Sequence, residues 1–215
     1  MTESDLVFQM NWLADDQIKP KGIKLLQTWL KNNVEFCSEA DTKPAVEAIL
    51  RGLGWDTLTG DVAREGDCGL GDFHLYYKGD EEDNRKICAL IEAEPLHYNA
   101  NILQGGPLSQ LDRYLRRLVD PLSEEFRSCT REVQKWISKH RLSRGDMVFA
   151  CGVLTNGRHW WVYPGPKSVA DVSRLAYPPP PGGEFDVLRG DDLDNLRVVL
   201  GKDLVCAEVE KFLHG

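Results

Sequence analysis

Four carboxylates on three predicted elements are the residues best placed to do chemistry. Glu92 and Glu94 end the nearly continuous apolar run RKICALIEAE. Because side chains alternate along a strand with a period of two, these two glutamates point the same way. Asp72 lies on the preceding predicted strand, where antiparallel pairing would bring it alongside, and Glu47 comes from the helix predicted before the sheet. The sequence therefore predicts a cluster of like charges at one end of a sheet.

Like charges in such a cluster repel each other, so something must offset the repulsion. At a separation of about 4 Å and an effective dielectric of about 20, two like charges repel by about 4 kcal/mol. Either the strand end is open to water, or a cation lies there. Mg²⁺ prefers one or two carboxylates together with retained water molecules, and it offsets charge on a bound phosphate. Residue spacing alone leaves both a metal site and solvated acids open.

Helices and strands follow each other in an order that predicts a mixed sheet flanked by helices, in the α/β or α+β class. The segment DTKPAVEAILRGLGW predicts a helix that is capped by Asp41 or Thr42, holds Pro44 in its first turn and ends near Gly52. The segment GDFHLYYKG alternates as a strand does, and RKICALIEAE predicts a central strand covered on both faces.

The second half of the predicted core contains a hairpin. Asn156-Gly157 stands between two apolar runs, which is a strong signal for a two-stranded turn. Trp160 and Trp161 fall on opposite faces of the second strand, so they are not both expected to face the core. The other ring is expected to pack against the N-terminal helix, or to be exposed and stack on a base.

Basic residues concentrate between Arg113 and Arg144, although the protein carries a net charge of −8. This segment holds nine lysines and arginines against four acids. Its part from Ser123 to His140 predicts a single helix with a basic stripe spaced by four, made of Arg127, Arg131, Lys135 and Lys139. An acidic protein that binds nucleic acid needs such a local cationic surface. A solvated helix face is the alternative.

Length and composition suit one large domain with appendages. The chain has 215 residues, and 42% of them are hydrophobic, which is enough for a core. We expect a helical extension over residues 1–40, a core over 41–165, and a Pro/Gly connector with a C-terminal helix packed on the core over 166–215. Six widely spaced cysteines form no C-x-x-C pair and predict reduced thiols. With no apolar run of 18 residues and no signal-peptide pattern, we expect a cytoplasmic protein without a membrane partner.

Five blocks, spread over roughly residues 43–163, occur in the order found in a known nuclease family. They are VEAILRGLGWD, GDFHLYYKG, ALIEAE, SQLDRYLRRL and GVLTNGRHWWVY. Together they resemble the N-terminal nuclease domain of type I restriction enzyme R subunits, which belongs to the PD-(D/E)XK superfamily. The resemblance implies a restriction-endonuclease-like sheet flanked by helices. It also implies hydrolysis of DNA phosphodiester bonds with Mg²⁺ or Mn²⁺.

The resemblance also assigns roles to individual residues. It implies that Asp72 and Glu92 bind the metal, and that Glu47 is a ligand or an acid behind the ligands. Gln110 and Tyr114, one turn apart on a helix, would position the DNA backbone. The basic residues expected to hold DNA are Arg113, Arg117, Arg127, Arg131, Lys135 and Lys139.

Position 94 departs from the family, which carries lysine there. Glu94 cannot supply positive charge, but it can accept a proton from water or ligate the metal. Arg113 is the expected replacement cation, because Lys86 lies about 20 Å away along its strand. The alternative function is a catalytically inactive module of the same fold that binds DNA or a partner protein, in restriction, phage defence or counter-defence. A partner subunit and a homodimer are left open as further partners.

Overall fold

The fold was analysed in a computed structural model. It describes residues 38–56, 58–64, 69–78, 85–168, 178–189 and 191–215, together with residues 31 and 175. The predicted N-terminal extension, residues 1–40, lies almost wholly outside the described residues. Within them, no helix is long and apolar enough to cross a membrane.

A mostly antiparallel sheet, flanked by helices, forms the centre of the described chain. In spatial order its strands are β1 (Val62–Arg64), β2 (Phe73–Lys78), β3 (Arg85–Ala93), β6 (Cys151–Thr155), β7 (His159–Tyr163) and β9 (Glu184–Asp186). All neighbours are antiparallel except β3 and β6, which run parallel. A smaller sheet joins β4 (Ser143–Arg144), β5 (Met147–Val148) and β8 (Lys167–Ser168). The predicted mixed α/β class is confirmed.

Helices cover both faces of the larger sheet. They are α1 (Glu39–Gly52), α2 (Ala100–Leu103), α3 (Gly106–Val119), α4 (Glu124–Arg127), α5 (Arg131–His140), α6 (Asp192–Leu200) and α7 (Lys202–His214). Apolar residues of α1, α6 and α7 pack on one face, and those of α3 and α5 pack on the other. Strand β3 is therefore buried between two layers, as its continuous apolar run predicts.

Close contacts fix the helices on the sheet. Leu115 of α3 packs against Gly152 of β6 so tightly that a Cβ there would lie 2.6 Å from the leucine Cδ1. On the opposite face, the indole nitrogen of Trp55 donates to the carbonyl of Leu200 at 2.7 Å and ties α6 to the end of α1. A side chain at position 152 would therefore make Leu115 shift, so α3 lies close over β6 at this glycine.

The Asn156-Gly157 hairpin is present, with Gly157 at φ 83°, but the prediction for the two tryptophans is wrong. Trp160 and Trp161 are 0% and 1% exposed. They do lie on opposite faces of β7, one in each apolar cluster. Both are buried because helices cover the sheet on both sides.

The helix predicted over 123–140 is interrupted. Helix α4 ends at Arg127, and the Thr130 hydroxyl accepts from the amide of Val133 to start α5. Serine and threonine favour such caps because their side chains compete for backbone hydrogen bonds. The sequence also did not predict β9 or the length of the last helix, α7. Helix α1 begins at Glu39, ahead of the predicted cap, so Pro44 lies inside it.

A candidate acidic site at the end of strand β3

Asp72 is fastened across the end of β3 by two backbone contacts. Its own amide donates to the carbonyl of Ile91 at 2.8 Å, and its Oδ2 accepts from the amide of Ala93 at 2.7 Å. This close approach depends on Gly71, which has φ 89°, and a Cβ there would lie 2.8 Å from the Ile91 carbonyl oxygen. Glycine is thus required for both its backbone conformation and its size.

Glu92 lies deeper, near the end of β3, and α3 supplies its partner. The carboxyl group is in a residue that is only 4% exposed. The amide nitrogen of Gln110 donates to Glu92 Oε1 and also to the hydroxyl of Tyr114, at 2.9 Å for the latter. The Gln110 and Tyr114 side chains thus project from one face of α3 toward the buried acid.

A lysine lies in this cluster, where the sequence predicts that Arg113 supplies the positive charge. Lys43 Nζ is 2.8 Å from Asp72 Oδ1 and 3.0 Å from Glu39 Oε1. The lysine side chain is 16% exposed, so this ion pair is largely shielded from water. The sequence did contain a signal that could have located this lysine. Lys43 stands four residues before Glu47 on α1, and residues four apart share a helix face.

Glu47 is engaged by arginines. It is 8% exposed, and its carboxylate pairs with Arg51 at 3.0 Å and with Arg64. The acid of α1 whose charge acts on Glu92 and Glu94 is Glu39. Helix α1 therefore brings Lys43 and Glu39 to the strand end, while Glu47 holds α1 to β1 through Arg64.

The three acids at the strand end share one electrostatic environment. Burial, followed by the charges of Asp72 and Glu94, raises the pKa of Glu92 to about 9. Burial, then Glu39 and Asp72, raises the pKa of Glu94 to about 7. Burial also raises the pKa of Asp72, against the opposing effect of Lys43. At neutral pH without a metal ion, a proton on Glu92 and the ammonium of Lys43 relieve the repulsion.

Asp72 and Glu92 are the two carboxylates that could hold a hard divalent cation. Among the residues that the structure describes, no three Asp, Glu, His or Cys side chains are arranged to hold a metal ion. Mg²⁺ commonly takes one or two carboxylates and completes its shell with water and phosphate oxygens. Asp72 and Glu92 provide such a pair. Burial is the main cause of the raised pKa of Glu92, and the charges of Asp72 and Glu94, which raise it further, favour a positive charge nearby.

The predicted DNA-binding residues fall in three places. Arg117 Nη1 donates to the carbonyl of Gly69 at 3.0 Å, and its guanidinium lies 5.7 Å from the Tyr114 ring centre, so it borders the acidic cluster. Arg113 is exposed and lines a separate cavity of about 480 Å³ with Asp112 and Arg116. The cation found at the carboxylates is thus Lys43, whereas the sequence predicts Arg113. The basic stripe is exposed on α4 and α5: Arg127, Arg131, Lys135 and Lys139.

Comparison with known proteins adds no relative. The chain matches no family model, no curated protein and no solved structure. The nuclease resemblance therefore remains a prediction that rests on the sequence blocks alone.

Proposed function

We propose that this chain is a Mg²⁺-dependent endonuclease that hydrolyses phosphodiester bonds of DNA, on a restriction-endonuclease-like fold. One observation carries the proposal. The carboxylates of Asp72 and Glu92 lie at one strand end with the Lys43 ammonium 2.8 Å from Asp72. Two acids and one cation are the groups that a site needs to hold a hard metal ion and a phosphate together.

Each side chain has a part in the proposed reaction. Asp72 and Glu92 would hold the metal ion, which supplies positive charge and acidifies a bound water. Lys43 binds a phosphate oxygen and provides the positive charge that Glu94 cannot. Glu94 accepts a proton from the attacking water when it is ionised, a state that a metal ion bound beside it favours.

Two groups outside the carboxylates orient the substrate. Gln110 and Tyr114 project from α3 toward Glu92 and bind the DNA backbone beside the scissile phosphate. Arg117 borders the same cluster and adds a phosphate contact. Arg113 and the basic stripe on α4 and α5 bind flanking phosphates, which makes DNA binding fall with added salt.

A binding module without catalysis is the second candidate. Two observations favour it: glutamate stands at position 94, and Lys43 already occupies Asp72 Oδ1. In that case the ion pair is the permanent state of the site. DNA or a partner protein would then bind through the exposed basic residues.

Cleavage assays on plasmid and single-stranded DNA, with Mg²⁺ or Mn²⁺, separate the two candidates. We expect cleavage by the wild-type protein and a loss of at least about a hundredfold in Asp72→Asn, because a metal ligand is removed. Glu208→Gln, an exposed acid on α7, is the matched control and should cleave normally. Circular dichroism checks that each variant folds.

Two results contradict the nuclease proposal. Cleavage that survives Asp72→Asn would place the chemistry elsewhere. Absence of cleavage in the wild type, together with salt-dependent DNA binding, would favour the module.

A further inference from the structure

Lys43 stands between two acids that belong to different elements. Glu39 is one turn earlier on the same helix and is half exposed, with its Oε1 3.0 Å from the ammonium. Asp72 is on the chain that leads into β2, and its Oδ1 is 2.8 Å away. The lysine therefore keeps one partner on its own helix if it leaves the other.

The two oxygens of Asp72 differ in how easily they can change partners. Oδ2 accepts from the backbone amide of Ala93 at 2.7 Å, which the sheet holds in place. Oδ1 is bound by Lys43, whose side chain has several rotatable bonds. A metal ion that binds Asp72 is thus expected at Oδ1, where the ammonium now lies.

An ammonium and a divalent cation cannot both occupy that place. Mg²⁺ binds oxygen at about 2.0–2.1 Å, so an ion on Oδ1 would lie within a few ångströms of the Lys43 nitrogen in its present position. The repulsion between the two cations favours one occupant.

We propose that Lys43 competes with a divalent cation for Asp72, so that the lysine holds the metal-free site closed and turns toward Glu39 or a substrate phosphate when the ion binds. The inference rests on the metal site of the proposed function, and it adds a regulation of that site by the protein's own side chain. It also predicts that DNA and metal bind cooperatively, because a phosphate that attracts Lys43 releases Asp72.

Calorimetric titration with Mg²⁺ alone, without DNA, tests the competition. In Lys43→Met we expect the Kd for Mg²⁺ to fall about tenfold, because the competing charge is gone, whereas Lys43→Arg keeps the charge and should not gain affinity. Lys211→Met removes one positive charge from the exposed surface of α7, away from the proposed DNA-binding residues, and should leave the Kd unchanged. An unchanged or higher Kd in Lys43→Met overturns the proposal.

A measurement on the wild-type protein covers the case in which Lys43→Met fails to fold. Amine labelling with an N-hydroxysuccinimide ester, followed by mass spectrometry, reports how accessible each lysine is. We expect Mg²⁺ to raise labelling of Lys43 severalfold at constant ionic strength, with Lys135 unchanged as the internal control. Equal labelling of Lys43 with and without Mg²⁺ overturns the proposal.

These outcomes are separable from the nuclease proposal. Tighter Mg²⁺ binding by Lys43→Met without DNA cleavage by any form would support the competition and contradict the nuclease. Cleavage by the wild type with an unchanged Kd in Lys43→Met would support the nuclease and contradict the competition.

Discussion

Replacing Glu92 by glutamine should stabilise the metal-free protein. The carboxyl group is in a residue that is 4% exposed, beside two other acids, and its pKa is raised to about 9. In the unfolded chain a glutamate titrates near 4.3. Above that pH the unfolded chain gives up its proton while the folded protein keeps one, so the free energy of unfolding falls as pH rises toward about 9.

The size of the effect follows from the pKa difference. Each pH unit between the unfolded and folded pKa values costs about 1.4 kcal/mol, so at pH 7, about 2.7 units above the unfolded pKa, the penalty is about 4 kcal/mol. Glutamine keeps the shape and can still accept the hydrogen bond from Gln110 without this penalty. We therefore expect Glu92→Gln to gain about 4 kcal/mol at pH 7 and almost nothing at pH 4.5.

Urea denaturation at pH 4.5, 6, 7 and 8, in the presence of a chelator, measures this gain. The difference between Glu92→Gln and wild type should widen steadily with pH, whereas Glu208→Gln should follow the wild type. Added Mg²⁺ should narrow the difference, because an ion that binds only the folded wild type stabilises it. A Glu92→Gln variant that is equal to or less stable than the wild type at pH 7 would refute the reasoning.

Three other perturbations have defined outcomes. Gly71→Ala should lower the free energy of unfolding by about 1–3 kcal/mol in urea denaturation, because a Cβ is opposed both by φ 89° and by the nearby Ile91 carbonyl oxygen. An unchanged stability would contradict the close approach of Gly71 to Ile91. If the chain is a nuclease, its cleavage rate should rise with pH as Glu94 ionises, with a midpoint below the metal-free value of about 7 because a bound cation lowers the pKa of Glu94. Glu94→Gln should flatten that profile in a rate assay at about pH 5.5–8.5. Burial lowers the pKa of His74 to about 4, so the free energy of unfolding should fall as pH drops from about 6.5 to 4, and His74→Phe should reduce this slope in acid denaturation.

Sequence patterns predicted those features that depend on residues close together in the chain. The period of two along β3 and the antiparallel pairing with β2 place Asp72, Glu92 and Glu94 at one end of the sheet, and both features were predictable from alternation and turns. The Asn156-Gly157 hairpin followed for the same reason.

Long-range packing accounts for what the sequence did not predict. Lys43 reaches Asp72 only because α1 lies over the end of the sheet, and no periodicity within α1 states which strand it meets. Trp161 is buried because α3 and α5 cover its face of the sheet, so a rule about one strand could not place it. The helix breaks at Ser128–Thr130 because the Thr130 side chain caps a new helix, although the apolar pattern on either side is continuous.

The single parallel pairing in the sheet has a consequence for how the acidic cluster forms. Strands β3 and β6 can pair only after the crossover formed by residues 94–150 has folded back, and such non-local pairing tends to form late. A nascent chain that has reached α3 already contains Asp72, Glu92, Gln110 and Tyr114, yet it lacks the β6 neighbour of β3. The contact of the cluster with β6, in which the amide of Glu94 donates to the carbonyl of Thr155 at 2.8 Å, therefore forms only after synthesis has passed residue 155.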